Sequence, residues 1–544
     1  MKLMGLLPEE TGGVVKETGK EEPQQFVVLT AEEVAVQEQE AARALEPVQP
    51  EQVEATKEEP AAIETTQGAV FKEVPVNPFV LTENDKFSTF AIDVDTASYA
   101  LCGRYIRGGY LPPRGAVRME EFVNAFDYNY PRQPQNVFNI YTEAMPSPFG
   151  EGLVLLKVGV MGKVVGREAR KPANIVFVID ASGSMDRPDR LPLVQYAVEQ
   201  LVNVLEPEDR VSLVTYGTHA NLVLENVSAS DRDTILKSVN AIQTSGSTNM
   251  LEGIRLGYEI AQRTYREMTE SASQQGFVMK GVMSRVMLLS DGVANIGTTD
   301  TAQILKDVEQ YKNFGITFSS AGFGMGSYND TTLEQLSNKG DGSYVFIGSK
   351  REAKRVFGEE MSANLQTIAK DAKIQVEFNP TTVRRYRLVG YENRDIADKD
   401  FRNDAIDAGE VGSGQCATAL YELELFEPQA GMKPGDVGTV YVRYRNTDTM
   451  QVEEIASKMA GDMVRRYEVR ENPRLYLAAA VAEFAELLRE SEHAKSGNLA
   501  AVESMLRKVA AALTVKEQGR LVTDPKVSEL IYLVRRAQGL PRAQ

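Results

Sequence analysis

The sequence predicts an α/β fold in which a doubly wound, mostly parallel sheet lies between residues 172 and 349. Short apolar runs alternate there with segments of helical periodicity, a pattern typical of parallel strands joined by crossover helices. The predicted strands are NIVFVID, RVSLVTYG, RVMLLSDG and ITFSSAGFG, and the predicted helices are LPLVQYAVEQLVNVL, TILKSVNAI, LEGIRLGYEIAQRTY and AQILKDVEQYKNFG. Strand-like segments flank this unit, and amphipathic segments follow near the carboxyl terminus. We therefore expect an α/β domain in or beside a β-rich domain, followed by a helical region.

The flanking segments predict one β-rich domain that the α/β unit interrupts. In residues 85–171, VFNIYTEAM and GLVLLKVGV predict a hairpin joined by PSPFGEG. In residues 350–452, KREAKRVFGEEMSANLQTIAKDA predicts one helix, and IQVEF, RRYRLVGY, ALYELELF and GTVYVRYR predict strands. Residues 453–544 are expected to be helical, through LYLAAAVAEFAELLRES, LAAVESMLRKVAAAL and KVSELIYLVRRA. Insertion of one domain into another is tolerated because domain ends often lie close together.

Residues 1–84 form an acidic segment that we expect to be a disordered tail. It contains 17 acidic and 6 basic side chains, with many Gln, Pro and Ala residues. Its few apolar residues cannot offset the entropy of ordering the chain, so it should be sensitive to proteases. The opening MKLMGLLPEETGG lacks the apolar core of a signal peptide. The chain as given therefore predicts a cytoplasmic protein, with the cell envelope as the alternative if an N-terminal signal is missing.

Composition excludes several classes of function. The 544 residues carry a formal charge of −17, which argues against a nucleic-acid surface because phosphates are bound by clustered Lys and Arg. No run of 18 apolar residues offers a transmembrane segment. Cys102 and Cys416 belong to no CxxC pair, and whether they pair with each other is open. With only His219 and His493 present, histidine-based metal clusters and serine–histidine catalysis are not expected.

Oxygen-bearing side chains follow several strands of the predicted parallel sheet. Asp180 ends the strand NIVFVID, and Ser182 and Ser184 follow it at alternate positions. Thr248 lies in the loop TSGSTNM before a helix, and Asp291 follows the strand RVMLLS. Loops at the carboxyl ends of such strands are where open α/β sheets place their ligands. Carboxylate and hydroxyl oxygens favour Mg²⁺, with Mn²⁺ or Ca²⁺ as alternatives, over zinc.

These residues resemble the metal-ion-dependent adhesion site of the von Willebrand factor type A (vWA) family. That site consists of a DxSxS motif, a Thr in a second loop and an Asp in a third. The resemblance implies that Ser182, Ser184 and Thr248 bind the metal through hydroxyl oxygens, Thr248 directly or through a water, while Asp180 and Asp291 act mainly through bound waters. It also implies a non-enzymatic role in which the metal ligates a Glu or Asp of a protein partner.

The resemblance extends over nearly all of the chain after residue 85. FAIDVDTASYA, VRMEEFVNAFDYNYP, KPANIVFVIDASGSMD, LEGIRLGYE, AGFGMGSYND and FNPTTVRRYRLVGYENR look like the bacterial YfbK-type vWA proteins. This similarity implies envelope-associated or cytoplasmic interaction work. Two other functions remain open: an adaptor for a MoxR-type AAA ATPase, as some bacterial vWA proteins are, and a metal-assisted hydrolase.

Three further motifs predict ordinary structural roles. In DVDTAS, we expect Asp95 or Thr96 to cap the following helix, because no second loop supplies companion ligands for a metal. AGFGMGSYND has GxGxG rather than GxGxxG spacing, and we expect a loop near the metal edge. His219 is expected to be a solvated side chain in a hairpin turn, and His493, among polar residues after a helix, is likewise not expected to be a ligand or catalytic residue.

Overall fold

The computed structural model describes residues 71, 73–132, 136–274, 281–292, 298–312, 314–324, 330–360, 365–427, 435–495, 497–517 and 520–543. Its first elements are β1 Val80–Leu81, β2 Phe87–Ala91, α1 Ala97–Arg107, α2 Met119–Asn124, β3 Phe138–Pro146 and β4 Val154–Gly162. Strands β3 and β4 pair in antiparallel fashion, and the turn between them is closed by a 2.8 Å hydrogen bond from Ser147 N to Leu153 O. The predicted hairpin is confirmed.

The α/β domain follows with strands and helices in alternation. Its elements are β5 Ala173–Asp180, α3 Leu191–Val202, β6 Arg210–Tyr216, β7 Ala220–Ser228, α4 Arg232–Asn240, α5 Met250–Gln274, β8 Met283–Ser290, α6 Thr298–Lys312, β9 Ile316–Phe323, α7 Asp330–Lys339, β10 Tyr344–Ile347 and α8 Lys350–Ala353. The sheet order is β10-β9-β8-β5-β6-β7, and every described pairing is parallel except β6 with β7. The predicted mostly parallel sheet is therefore confirmed.

Helices cover both faces of this sheet, which explains its uninterrupted apolar strands. All eight residues of β5 are buried. Val176 and Val178 pack in one core with residues of α5, α6 and α7, whereas Ile175 and Phe177 pack in another with residues of α3 and α4. Alternate side chains of a strand point to opposite faces, so a strand covered on both faces must be apolar throughout.

The strands of the β domain come from both sides of the α/β domain. The later strands are β11 Thr367–Phe378, β12 Val383–Val389, β13 Gly409–Gly412, β14 Cys416–Leu425, β15 Gly438–Asn446 and β16 Val452–Met459. One described sheet has the order β1-β12-β14-β4-β3, and a second has β13-β11-β15-β16 with β2 paired to β11. Because β4 pairs with β14, and β2 with β11, the α/β domain is inserted between strands of the same sheets.

Two helical predictions are wrong where strands take their place. The helix predicted for residues 350–372 is helical only in its first part, which consists of α8 and a π-helical continuation, Lys354–Glu360. Strand β11 begins at Thr367. Ile368, Ala372 and Ile374 are buried in the β-domain core, which a strand between β2 and β15 allows. The helical region expected from residue 453 begins only at Pro473, because β16 alternates exposed and partly buried side chains along an edge pairing with β15.

The expected disordered tail is also too long at its carboxyl end. Strand β1 pairs with β12, and Asn77 Nδ2 donates hydrogen bonds of 3.2 and 2.8 Å to Leu388 O and Gly390 O. The packed structure therefore begins before residue 85. The remainder of that prediction, residues 1–70, lies outside the described part of the chain.

The carboxyl-terminal helices pack against residues 85–171, here called the N-terminal module. They are α9 Pro473–Leu488, α10 Leu499–Leu513 and α11 Pro525–Ala537, with β17 Val515–Glu517 and β18 Arg520–Val522 forming a short hairpin between the last two. Phe484 of α9 meets Phe122 of α2 edge to face, with ring centroids 6.2 Å apart. Leu533 of α11 lies against Gly103 of α1. Among the described helices, none combines the length and the apolar character that a membrane crossing needs.

Candidate metal centre

Backbone hydrogen bonds bring the predicted metal-binding loops together at the carboxyl edge of the sheet. Ser245 N, in the loop that contains Thr248, donates to Ala181 O over 2.7 Å. Gly183 N donates to Gly246 O over 3.3 Å, so the loop after β5 and the loop before α5 lie against each other. Asp291 directly follows β8, the strand paired in parallel with β5. The sequence-predicted loops therefore meet at one edge.

The two serine hydroxyls lie at the separation expected of neighbouring ligands of a small cation. Ser182 Oγ and Ser184 Oγ are 3.0 Å apart. An octahedral Mg²⁺ with oxygens at about 2.1 Å places adjacent oxygens about 3 Å apart. The hydroxyl pair therefore fits two adjacent positions of such an ion.

Asp180 is a buried carboxylate held by neutral donors. Its Oδ1 accepts a 2.9 Å hydrogen bond from Ser182 N, and its Oδ2 accepts 3.1 and 3.0 Å bonds from Tyr216 Oη and Ser290 Oγ. Burial, followed by the negative charge of Asp291, raises the pKa of Asp180 to about 6. These neutral partners fix the carboxylate without neutralising it, which suits a nearby cation.

Asp291 has a cationic partner that the sequence did not reveal. Its buried carboxylate forms an ion pair with Arg190, whose Nη1 also donates to Ser184 O over 2.6 Å. Arg190 stands just before α3, and one arginine in a polar loop gave no signal of this role. The guanidinium holds the Asp291 carboxylate and the Ser184 backbone in a fixed relation.

Gly324 lies beside Arg190. Gly324 has φ +76°, and a Cβ there would lie 2.8 Å from Arg190 Cγ, so the segment AGFGMGSYND approaches the predicted metal edge at Gly324. Gly326 falls outside the described residues.

Thr248 is half-buried in a loop that is tied to the turn between β6 and β7. Its neighbours are fixed by hydrogen bonds from Ser247 N to Thr218 Oγ1, 3.2 Å, and from Asn249 N to Gly217 O, 2.8 Å. Gly217, Thr218 and the loop after β5 thus lie together. The assignment of Thr248 as a direct or water-mediated ligand stays a prediction.

His219 stands in the turn between β6 and β7, near the same edge of the sheet. Its side chain is 77% exposed, and its Nδ1 lies 3.8 Å from a carboxylate oxygen of Glu252. The solvated hairpin position expected from the sequence is confirmed. His219 is therefore part of the exposed rim of the candidate site.

The prediction of a helix cap at Asp95 or Thr96 is wrong. Thr96 is the residue that precedes α1, but neither side chain caps the helix by a hydrogen bond. Asp95 Oδ1 instead accepts a 3.1 Å hydrogen bond from Tyr344 N, at the start of β10. Asp93 is buried against Arg394, whose Nη2 lies 2.9 Å from Asp93 Oδ2. The sequence could not reveal these contacts because their partners are about 250 and 300 residues away.

A second acidic group, Asp341, Asp407 and Glu410, lies away from the predicted site. Carboxylate oxygens of the three residues lie within 4.8 Å of one another. Asp341 precedes β10, at the amino edge of the α/β sheet, and is paired with Lys312 and Lys370. The lysines account for this group as an ion-pair network between the α/β and β domains. The free thiols Cys102 and Cys416 form no disulfide.

Family models match three consecutive parts of the chain. The model described as von Willebrand factor matches residues 65–157, and the von Willebrand factor type A domain model matches residues 174–369. The model described as Uncharacterized protein YfbK, C-terminal, matches residues 363–540. The von Willebrand factor type A domain model covers β5, β8 and the loops that carry the candidate metal ligands.

Individual proteins are similar over large parts of the chain. Uncharacterized protein YfbK of Escherichia coli (strain K12) is 36% identical over 365 residues, which cover 66% of this chain and 61% of that protein. Uncharacterized protein sll0103 of Synechocystis is 25% identical over 53% of this chain and 65% of that protein. The solved structure of von Willebrand factor type A from Catenulispora acidiphila has 14% identity, covers 77% of this chain and 99% of its own, and gives a TM-score of 0.43.

The matched part of the chain spans less than two thirds of the length of each of these two relatives. The vWA match lies on the inserted α/β domain, and the YfbK match covers the later strands of the β domain together with the carboxyl-terminal helices. The chain is a von Willebrand factor type A domain protein of the YfbK type.

Proposed function

We propose that this protein is a non-enzymatic interaction module that binds a protein partner through a divalent cation, Mg²⁺ in the first instance. The observation that carries the proposal is that the Ser182 and Ser184 hydroxyls lie 3.0 Å apart in a loop that is hydrogen-bonded to the Asp180 carboxylate and joined through Arg190 to the Asp291 carboxylate. Ser182, Ser184 and Thr248 would hold the ion, with Asp180 and Asp291 in support.

The donor chemistry supports a role in binding. A bound Mg²⁺ would supply a positive centre with a strong preference for oxygen ligands. The hydroxyls of Ser182 and Ser184 are neutral, and the Asp291 charge is already balanced by Arg190. The chain's own residues therefore leave much of the charge of the cation available to a carboxylate of the partner, a Glu or an Asp.

The surroundings of the site leave room for a protein surface. Gly183, Thr218, His219, Gly246 and Ser247 are exposed around the buried carboxylates. Most of these side chains are small, so, as far as the described residues are concerned, an acidic side chain of a partner can approach the hydroxyl pair without displacing bulky groups. A rim of this kind suits a convex or flat partner surface from which an acidic side chain protrudes.

The test is capture of partner proteins by the immobilised full chain in Mg²⁺ and in EDTA. Ser184→Ala removes one hydroxyl ligand. The matched control is Ser238→Ala, which changes a partly buried serine of α4 whose hydroxyl donates to Thr234 O. We expect a set of proteins that is retained with Mg²⁺ by the wild type and by Ser238→Ala, and lost with EDTA or Ser184→Ala. In an identified partner, one Glu→Gln or Asp→Asn change should then abolish capture.

Capture that is the same in Mg²⁺ and EDTA, and the same for Ser184→Ala and the wild type, would refute the proposed function. Metal-dependent turnover of a substrate that is lost in His219→Ala would instead support the hydrolase, since His219 is the histidine at this edge. Partner capture and substrate turnover are both measured on purified preparations of the full chain and its variants.

A further inference from the structure

A cavity lies at the junction of the N-terminal module, the α/β domain, the β domain and α11. Its volume is about 400 Å³. Arg285 of β8, Val345 of β10, Cys416 of β14 and Lys526 of α11 are among the residues that line it. Arg285 is near the amino end of β8, whereas Asp291 follows its carboxyl end, so the cavity and the candidate metal centre are at opposite edges of the sheet.

Arg285 is a buried cation without a counterion among the described residues. Arg285 is only 9% exposed, and its Nε donates a 3.1 Å hydrogen bond to Thr317 Oγ1. No carboxylate of the described residues lies within ion-pair distance of the guanidinium, and its two Nη nitrogens have no described hydrogen-bond acceptor. Burial alone lowers the pKa of Arg285 to about 10. A buried charge is retained only at a cost in stability unless a counterion accompanies it.

Three acidic groups that line the cavity, Asp95, Asp341 and Glu410, have neighbours other than Arg285. Asp341 is paired with Lys312 and Lys370, and Asp95 lies 3.8 Å from Arg394. Burial and the neighbouring Asp341 carboxylate raise the pKa of Glu410 well above its ordinary value, which favours the neutral form of this carboxyl group. None of these carboxylates serves Arg285.

Two other cationic groups of the cavity, Arg355 and Lys526, have partners, and a third, Arg132, is exposed. Arg355 forms an ion pair with Glu360. Lys526 Nζ donates a hydrogen bond to Ala125 O and lies 4.0 Å from Glu360. Among the described cations of the cavity, Arg285 is thus the one that is buried and whose terminal nitrogens have no anionic or carbonyl partner.

We propose that this cavity binds a small organic oxyanion, a carboxylate or a phosphate ester, through the guanidinium of Arg285. The planar fork of an arginine matches two oxygens of such a group, and charge-assisted bonds of this kind are short and strong. Met161, Val345 and Val356 give the cavity an apolar wall for the uncharged part of the ligand. Its 400 Å³ equals the space of about a dozen water molecules, which sets the size of the ligand.

The experiment measures thermal unfolding and calorimetric binding of the full chain with two probes, inorganic phosphate and butyrate. Chloride of equal ionic strength is the reference for non-specific salt effects. The variants are Arg285→Met, Arg285→Lys and, as a matched control, Arg255→Met, which changes a half-exposed arginine of α5 paired with Asp307. A response to phosphate alone or to butyrate alone identifies which oxyanion the cavity prefers.

We expect a saturable rise in melting temperature with at least one probe, for the wild type and for Arg255→Met. Arg285→Met should weaken that binding by roughly 10- to 100-fold. Arg285→Lys should weaken it less, because it keeps the charge but loses the fork. Without anion, Arg285→Met should melt at or above the wild-type temperature, since it removes a buried charge that lacks a counterion.

Two results would overturn the proposal. One is the absence of a saturable response to both probes in the wild type. The other is a response of equal size in Arg285→Lys and Arg255→Met, which would place the binding elsewhere on the chain; this comparison holds even if Arg285→Met fails to fold. Neither result depends on the candidate metal centre.

Discussion

Replacing Arg394 by Met should destabilise the protein strongly, because Arg394 joins three parts of the fold. It follows β12 in the β domain, and its Nη2 lies 2.9 Å from Asp93 Oδ2 and 3.8 Å from Asp95 Oδ2 in the N-terminal module. The same nitrogen donates a 3.1 Å hydrogen bond to Asn338 Oδ1 of α7 in the α/β domain. Asp93 and Asp95 are each 4% exposed, so the substitution leaves two buried carboxylates without their cation.

The expected loss follows from the cost of leaving a buried charge unpaired. Removing one partner of a buried ion pair costs about 3–5 kcal/mol. The Arg394 side chain is 14% exposed, which places the expected loss toward the lower end of that range. The matched control is Arg402→Met, which removes a 61% exposed arginine paired with Glu454. A surface pair of that kind contributes at most about 1 kcal/mol.

The loss should also depend on pH in a defined direction. Burial and the neighbouring Asp93 carboxylate raise the pKa of Asp95 well above its ordinary value even with Arg394 present, and removal of the cation raises it further. A carboxyl group whose pKa is raised by folding stabilises the folded state below the pKa of the unfolded chain and loses that stabilisation as pH rises. The deficit of Arg394→Met should therefore shrink from about pH 7 to about pH 5.

Urea unfolding of the wild type and both variants at the two pH values measures these effects. A loss for Arg394→Met that equals that of Arg402→Met would refute the reasoning. So would a deficit that stays constant or grows as the pH is lowered, because the buried carboxylates would then not be the source of the instability.

Two further substitutions test local features of the fold. Gly246→Ala should weaken Mg²⁺ binding, because Gly246 has φ +80° and a Cβ there would collide with Thr218 Oγ1 and displace the loop of Thr248. Calorimetric titration with Mg²⁺ measures the affinity. An unchanged affinity would show that this loop does not belong to the metal centre. Asp524→Ala should lower the free energy of unfolding by about 1 kcal/mol, because Asp524 accepts hydrogen bonds from Lys526 N and Val527 N at the start of α11. Thermal unfolding of that variant against Asp233→Ala, an exposed acidic residue in the first turn of α4, isolates the loss of the cap.

The α/β domain and the insertion were predictable because local patterns determine them. A strand such as Ala173–Asp180, which is buried on both faces, can be told from a half-buried strand by its sequence alone, because its apolar residues run on without alternation. The candidate ligands were also predictable in position, because the carboxyl ends of parallel strands share one edge and Asp180 and Asp291 end neighbouring strands. The assignment of those side chains to a metal stays a prediction.

Elements that depend on distant partners could not be predicted. Residues 367–372 have helical periodicity, yet β11 buries Ile368 and Ala372 between neighbours that lie far away in the sequence. The role of Asp95 follows from Tyr344 and Arg394, and that of Asp291 from Arg190. Tertiary contacts of this kind override local propensity, and they also explain why Arg285 gave no signal of its buried position.

The most direct test of the account is a calorimetric titration of the purified full chain with Mg²⁺. Oxygen atoms of separate loops at one edge of the sheet should give saturable binding of one ion, which Ser184→Ala and Asp291→Asn each weaken by roughly tenfold or more while Ser238→Ala does not. Heat changes that are absent in the wild type, or identical in all four proteins, would contradict the claim that these loops form a metal centre.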